Sequence, residues 1–186
     1  MVPLTSLWLP ILLSAVAVFA ASNVIHMVLG YHRGDYDRLP REDDVMNLLR
    51  PMAIPPGDYL IPRASSMKDM RSPAFQEKWK KGPVAVMTVM SSEHTFMGRT
   101  LALWFAYCLI VSLFAAYIAS RAVGPGAPYL EVSRFASTTA FAAYSLGLWQ
   151  LSIWYRRKWS TTLKATIDGV IYGFLTGGML GWLWPR

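Results

Sequence analysis

Cysteine and catalytic sequence motifs are nearly absent from this chain. Its 186 residues include one cysteine, Cys108, so no intramolecular disulfide can form. Cys108 lies within an apolar run, where a packing role is more typical than a nucleophilic one. The sequence has no glycine-rich phosphate loop, no HExxH motif and no CxxC motif. We therefore expect a protein that is not an enzyme and that needs no cofactor.

Charged residues are also scarce, at 16% of the chain, whereas hydrophobic residues make up 54%. This composition is too apolar for most soluble domains of similar length and favours a membrane protein. The 18 Lys and Arg outnumber the 11 Asp and Glu, an excess that suits either nucleic acid or an anionic membrane surface. Most tryptophans lie near the ends of apolar runs, as expected of headgroup anchors. Nucleic acid is therefore not an expected partner.

Four apolar runs are long enough to cross a bilayer, which requires about 20 residues of helix. They cover residues 7–29, 101–120, 135–154 and 165–184, and only Asp168 brings a charge into them. The first run exceeds the usual apolar core of a signal peptide and no Lys or Arg precedes it, so we expect a retained span. The sequence predicts an all-α integral membrane protein with four transmembrane helices. A polar segment, residues 31–100, separates helices 1 and 2.

Basic residues predict the orientation of these spans. Residues 31–100 hold 11 of the 18 Lys and Arg, and residues 155–164 hold four more. In a four-span chain these two segments lie on the same side, and the positive-inside rule places that side in the cytoplasm. Both termini are then expected on the opposite, periplasmic face of a bacterial inner membrane.

Short amphipathic helices are predicted within the polar segment. The pattern favours helices over residues 41–52 and 72–81, with extended chain at 58–62 and either a strand or an interfacial stretch at 84–90. The second helix combines aromatic and basic residues that suit an anionic membrane surface: Phe75, Lys78, Trp79, Lys80 and Lys81. An equal alternative is that Phe75 and Trp79 pack against the rest of the segment.

Glycine recurs every fourth residue in the last span, at Gly169, Gly173, Gly177 and Gly181. Residues at this spacing share one helix face, and a face of small residues lets another helix approach closely. The stripe therefore predicts a helix-packing surface, either for another span of this chain or for another protein.

Several polar residues fall in the inner ends of the predicted spans. Asn23, His26, Gln150 and Asp168 are expected in the same leaflet layer, where they form either a proton relay or hydrogen bonds that fix helix packing. We favour the structural role. No metal site is expected, because the other two histidines, His32 and His94, lie outside the spans without ligand spacing, and two methionine pairs lack a Cys or His partner.

Several strings of this sequence resemble a family of small bacterial membrane proteins. They are IHMVLGYHRGDY from Ile25, PPGDY from Pro55, GPGAPY from Gly124, LWQLSIWY from Leu148 and TTLKATIDGVIYGFLTGGMLGWLWP from Thr161. The resemblance covers nearly the whole chain. It implies four spans in a bacterial inner membrane, and it implies no activity or ligand.

Two functions follow as hypotheses. The first is a non-enzymatic accessory or scaffold subunit, whose partners are the lipid bilayer and either other membrane subunits or a second copy of the chain, contacted through the glycine face. The alternative is a small transporter or proton-conducting protein that uses the inner-leaflet polar residues, although transporters usually contain paired repeats and none is recognisable here.

Overall fold

The computed structural model describes residues 1–92 and 97–186, and these residues are mostly helical with one small sheet. In chain order the helices are α1 (Trp8–Asn23), α2 (Glu42–Leu49), α3 (Met67–Met70), α4 (Pro73–Lys81), α5 (Met97–Ala122), α6 (Tyr129–Ser145), α7 (Trp149–Tyr155) and α8 (Trp159–Trp182); the strands are β1 (Gly57–Ile61) and β2 (Ala85–Val89). The described residues divide into two compact units. A helical unit contains residues 1–37 and 97–186, and a smaller unit contains residues 38–92.

Two helices are long and apolar enough to cross a membrane. One is Leu4–Leu29, in which a 3₁₀ turn, α1 and a π-helical turn follow each other without a break, and the other is Met97–Ala122. Only 28% of the apolar stretch in each is buried inside the protein. A core helix of a soluble protein would be mostly buried, so the exposed apolar faces of these two helices favour contact with lipid.

The two later apolar runs form helices with bounds that differ from those predicted. The run 135–154 is divided, because α6 begins at Tyr129 and ends at Ser145, a 3₁₀ turn covers Leu146–Leu148, and α7 follows. Gly147 lies in that turn, and glycine stabilises an α-helix poorly. The last helix, α8, begins at Trp159, before the predicted start at residue 165.

The four long helices form a bundle in which each packs against two neighbours. α1 packs against α5 and α8, and α6 packs against the same two helices. Small buried residues at these interfaces, including Ala115, Ala119, Ala136 and Ala140, allow the helix axes to approach closely.

Hydrogen bonds gather both termini at the end of the bundle that carries the α5–α6 hairpin. The Gly126 amide donates to the Pro185 carbonyl oxygen at 2.9 Å, and the Trp184 indole donates to the Gly124 carbonyl at 2.9 Å. The Arg121 guanidinium lies 3.1 Å from the Met1 sulfur. The two termini therefore share one end of the bundle.

The smaller unit confirms the predicted local structure of the polar segment. β1 and β2 pair antiparallel from Gly57 opposite Val89 to Ile61 opposite Ala85, so the run 84–90 contains a strand. The hydroxyl of Ser72 accepts a hydrogen bond from the Phe75 amide and caps α4, whose first residue is Pro73. The first predicted helix ends earlier than expected, at Leu49, and continues as a 3₁₀ turn to Met52.

Among the aromatic and basic residues of α4, one packs within the smaller unit and the others are exposed, as a membrane-surface role would require. Phe75 is only 7% exposed and lies 5.9 Å from the Trp79 ring, so it packs within its own unit. Trp79 is 44% exposed, and Lys78, Lys80 and Lys81 are exposed as well. These four side chains keep the character of a membrane-binding surface, which stays a prediction.

The glycine stripe of α8 packs against α6 within the same chain. A β-carbon at Gly173 would lie 3.0 Å from the Ser137 carbonyl oxygen, and one at Gly181 would lie 2.9 Å from the Tyr129 carbonyl oxygen. At Gly169 it would meet the Ser145 side chain, with its β-carbon at 3.0 Å. The Ser133 hydroxyl also donates to the Gly177 carbonyl at 2.9 Å. The stripe therefore joins two helices of this chain.

Replacing Gly177 by alanine should destabilise the bundle. The added β-carbon would lie 2.8 Å from the Ser133 carbonyl oxygen and 2.9 Å from the Ser137 amide nitrogen, both of which are backbone atoms of α6. Separation of the helices should cost about 1–3 kcal/mol, measured as the free energy of unfolding in detergent. Gly178→Ala is the matched control, because its β-carbon would meet only the Tyr129 hydroxyl at 3.5 Å. Equal stabilities of the two variants would contradict this packing.

Candidate functional site

A sharp turn after the first long helix folds the chain back onto the bundle. The helix ends in a π-helical turn, Val24–Leu29, which contains His26, and π turns are frequent at functional sites. Gly30 follows with a φ of +65°, a left-handed conformation that glycine adopts without strain. A 3₁₀ turn, Tyr31–Gly34, comes next. This reversal directs Tyr31 and His32 toward α8.

The centre of the site is a contact between His32 and Asp168. The Nε2 atom of His32 lies 2.8 Å from Oδ2 of Asp168, and the Tyr31 hydroxyl donates a hydrogen bond to Oδ1 of the same carboxylate. Asp168 is only 4% exposed. A buried carboxylate is costly unless its oxygens are paired, and here both oxygens have a partner.

Asp35 and Lys164 support this centre from the side. Oδ2 of Asp35 lies 2.7 Å from His32 Nδ1, and Oδ1 accepts a hydrogen bond from Lys164 Nζ at 2.9 Å. Lys164 also donates to the Tyr31 carbonyl oxygen at 2.7 Å. Burial opposes ionisation of the Asp35 carboxyl, but hydrogen bonds from His32 and Lys164 and their charges outweigh it and hold its pKa below the ordinary value.

His26 completes the group on its exposed side. Its ring centroid lies 4.4 Å from that of His32. One potential ligand atom from each of His26, His32 and Asp168 falls within 4.8 Å of the other two. We call these three residues and their supports, Tyr31, Asp35 and Lys164, the His–Asp cluster.

The charges of the His–Asp cluster favour a cation. A metal ion that takes the place of the proton between His32 Nε2 and Asp168 would face two carboxylates, those of Asp35 and Asp168, against the single ammonium of Lys164. The excess negative charge is largely removed from solvent, because the side chains of Asp168 and Asp35 are 5% and 10% exposed. A cation bound between the imidazoles and Asp168 would compensate this charge at short range.

The structure brings together two of the four polar residues that the sequence singled out. His26 and Asp168 share the His–Asp cluster, as described above. Asn23 instead donates a hydrogen bond to the Phe19 carbonyl oxygen, 2.7 Å away within its own helix. Gln150 is exposed on α7. His94 lies outside the described residues.

Four members of the His–Asp cluster were missed in the sequence: Tyr31, His32, Asp35 and Lys164. Residues 31–37 were assigned to the polar segment, whereas they belong to the helical unit. Two spacings carried a usable signal. His32 and Asp35 are three apart, and Lys164 and Asp168 are four apart, so each pair occupies one helical face.

Buried hydroxyl groups continue from Asp168 into the middle of the bundle. Tyr172 follows one turn later on α8, and its ring centroid lies 5.3 Å from that of Tyr144 on α6. The hydroxyls of Ser112, Ser145 and Tyr172 are buried and have no hydrogen-bond partner among the described residues. Tyr144 has only the Cys108 thiol beside its hydroxyl, which is a weak partner. Such groups in native proteins commonly bind internal water.

Comparison with protein-family models, with curated proteins and with solved structures gives no match. The resemblance to small bacterial membrane proteins therefore stays a prediction. The functional assignment rests on the geometry of the His–Asp cluster and the bundle around it.

The Asp35 interactions predict a specific dependence of stability on pH. Because its pKa is lowered on folding, the contribution of Asp35 is complete above the ordinary value of 3.8 and is lost as pH falls through the folded-state value. Asp35→Asn should lower the free energy of unfolding at pH 7 by about 1–3 kcal/mol. In denaturant titrations in detergent, the difference from wild type should shrink only as the pH falls below the ordinary pKa of 3.8.

Asp37→Asn provides the control for this measurement. Asp37 pairs with Lys158, but its side chain is 72% exposed, and exposed ion pairs stabilise proteins little. A wild-type and Asp35→Asn difference that stays constant from pH 7 to pH 3 would contradict the predicted role of Asp35.

Proposed function

We propose that this chain is a four-span inner-membrane protein that transports a cation through the His–Asp cluster. The clustering of buried ionisable groups at one end of the bundle carries this proposal, since such groups inside a membrane protein commonly mark ion pathways. The proposal includes periplasmic termini and a cytoplasmic location for residues 38–92, which the distribution of Lys and Arg favours.

Exposed apolar side chains support four membrane crossings. Each long helix has exposed large apolar side chains, among them Val16 on α1, Phe114 on α5, Phe135 on α6 and Phe174 on α8. On a soluble protein this much apolar surface would favour aggregation, whereas in a bilayer it contacts lipid. The interrupted helix α6–α7 fits the same arrangement. The Leu146–Leu148 turn divides it, but α6 and α7 together are long enough to cross a bilayer.

Labelling of single cysteines tests the topology. In a Cys108→Ala background, we expect an impermeant maleimide to label Pro125→Cys in intact spheroplasts, and to label Arg63→Cys and Arg157→Cys only after permeabilisation. Position 125 is in the α5–α6 hairpin and position 157 precedes α8. Labelling of Arg157→Cys in intact cells would show that the third helix does not cross, and would leave two spans.

Buried hydroxyls beyond the His–Asp cluster support transport in preference to a purely structural cluster. Toward the middle of the bundle from Asp168 lie the hydroxyls of Tyr172, one turn later on α8, and of Tyr144, whose ring packs on Tyr172. Groups that only fix helix packing would be expected to pair with one another, because each unpaired buried hydroxyl costs about 1–3 kcal/mol. Internal water at these hydroxyls would relieve that cost and would provide ligands for a passing ion.

The far half of the bundle is closed by apolar side chains. Leu7, Val132 and Leu180 are fully buried near the hairpin end. The buried hydroxyls of Ser14, Ser120 and Thr176 in this half each donate a hydrogen bond to a backbone carbonyl. This arrangement favours a transporter, in which helices move to expose the site, over an open channel.

Flux measurements in liposomes test this function. Vesicles containing the full chain should carry at least one cation from a panel of H⁺, Na⁺, K⁺, Mn²⁺ and Zn²⁺ faster than empty vesicles. Asp168→Asn should abolish that flux, because it removes the negative charge from the centre of the cluster. Asp37→Asn, an exposed carboxylate on the same end of the bundle, should retain it. Absence of flux for every cation, or equal flux in both variants, would overturn the proposal.

An accessory subunit is the second candidate function. The glycine stripe of α8 is already occupied by α6, so a partner protein would dock in the groove beside the stripe. This groove is lined by Ser137, Thr138, Phe141, Val170, Gly173 and Phe174. Hydroxyl groups and a glycine in a groove of this kind suit a neighbouring membrane helix. This function would gain support if the protein carried no cation and purified with another membrane protein in mild detergent.

A further inference from the structure

We propose that His26, His32 and Asp168 bind a divalent transition-metal ion. This inference deepens the proposed function by naming the class of cation, and its role in transport rests on that function. Two imidazoles and one carboxylate from three positions, 26, 32 and 168, converge at one end of the bundle with their ligand atoms within 4.8 Å of each other.

The spacing of the ligand atoms is close to what a metal needs. Bonds of about 2.0–2.1 Å in a tetrahedral site place neighbouring ligand atoms about 3.3 Å apart. His32 Nε2 and Asp168 Oδ2 are 2.8 Å apart, so an ion would separate them slightly. The ligand atom of His26 lies no more than 4.8 Å from those of His32 and Asp168, and these distances would shorten by about 1.5 Å or less on metal binding. Side-chain rotation of the exposed His26 provides most of this movement.

The partners of the ligands are those of a typical metal site. A histidine ligand usually donates its second ring nitrogen to a carboxylate, which orients the ring and raises its basicity. His32 does so here, with Nδ1 2.7 Å from Asp35, and Lys164 holds Asp35 in turn. The Tyr31 hydroxyl binds the second oxygen of Asp168. Both inner ligands are therefore oriented before an ion arrives.

The donor set selects the class of metal. Two imidazoles disfavour Ca²⁺ and Mg²⁺, which prefer oxygen ligands throughout. Imidazole with a carboxylate suits Zn²⁺, Fe²⁺, Mn²⁺ and Co²⁺. Only three protein ligands are present among the described residues, which leaves coordination positions for water. A site with open positions on the exposed His26 side can exchange its ion, as a transporter requires.

Metal binding to the tag-free full chain in detergent tests the inference. After removal of metal by a chelator, incubation with Zn²⁺ and gel filtration, mass spectrometry should find about one Zn²⁺ per chain. His26→Gln and Asp168→Asn should each weaken Zn²⁺ binding at least 100-fold. Asp35→Asn should weaken it by about 10–100-fold, as expected of a residue that orients a ligand. Asp37→Asn is the control and should bind as wild type does.

His26→Gln keeps the test independent of folding. His26 is exposed and its ring faces that of His32, so its replacement should leave the gel-filtration profile and helical content unchanged. Co²⁺ should give visible absorption bands with wild type that disappear in His26→Gln. Failure of wild type to retain Zn²⁺ or Co²⁺, or equal retention by His26→Gln, would overturn the metal site. Flux of H⁺, Na⁺ or K⁺ that depends on Asp168 would then still support the proposed transport function.

Discussion

The buried carboxylate of Asp168 is the constraint on which the end of the bundle opposite the α5–α6 hairpin depends. An isolated charge at this position would be strongly unfavourable, and every feature nearby supplies a partner for it. Gly30 allows the chain to reverse, so that Tyr31 and His32 reach both carboxylate oxygens. Asp35 and Lys164 then hold His32 and the Tyr31 backbone in place. The segment 31–37 is thus attached to α8 by polar contacts, and the Tyr31 ring also packs against the hydrophobic core.

Close packing of α6 on α8 gives the site a rigid base. The four glycines of the stripe place the α8 backbone next to α6 along most of its length, and the serine hydroxyls of α6 fill the remaining space. Asp168 precedes the first of these glycines, Gly169, whose close contact with the Ser145 side chain of α6 fixes the position of Asp168 on the bundle. A packing motif that could have served a partner protein therefore helps to position the polar site.

The sequence predicted much of this fold because its strongest signals are local. Apolar run length identified the regions of α1, α5 and α8, the Ser72 and Pro73 pair identified the start of α4, and glycine spacing identified a packing face. The break at Leu146–Leu148 was missed, because a glycine within an apolar run does not reveal whether the helix continues.

The site was harder to predict than the fold because it combines distant parts of the chain. His32 follows a helix end, and a polar residue in that position is usually solvated, so nothing local connects it with Asp168, 136 positions later. The left-handed conformation of Gly30 makes that connection, and a single glycine does not specify its own φ. Asn23 and Gln150 have the chemistry expected of the cluster but point elsewhere, since leaflet depth does not determine which face of a helix a residue occupies.

The contacts that attach residues 31–37 to α8 also form the proposed cation site. A cation between His32 and Asp168 must release the proton of their direct hydrogen bond to solvent and replace that bond with two bonds to itself, while the Asp35 and Tyr31 contacts can persist. Binding would therefore exchange one link between the turn and α8 for another, and the turn would move outward only slightly. Since α1 leads directly into this turn, such a shift is transmitted to the helix that packs against α5 and α8. An ion site built from an inter-helix attachment is in this way able to couple its occupancy to helix position, which an isolated pocket on one helix could not do.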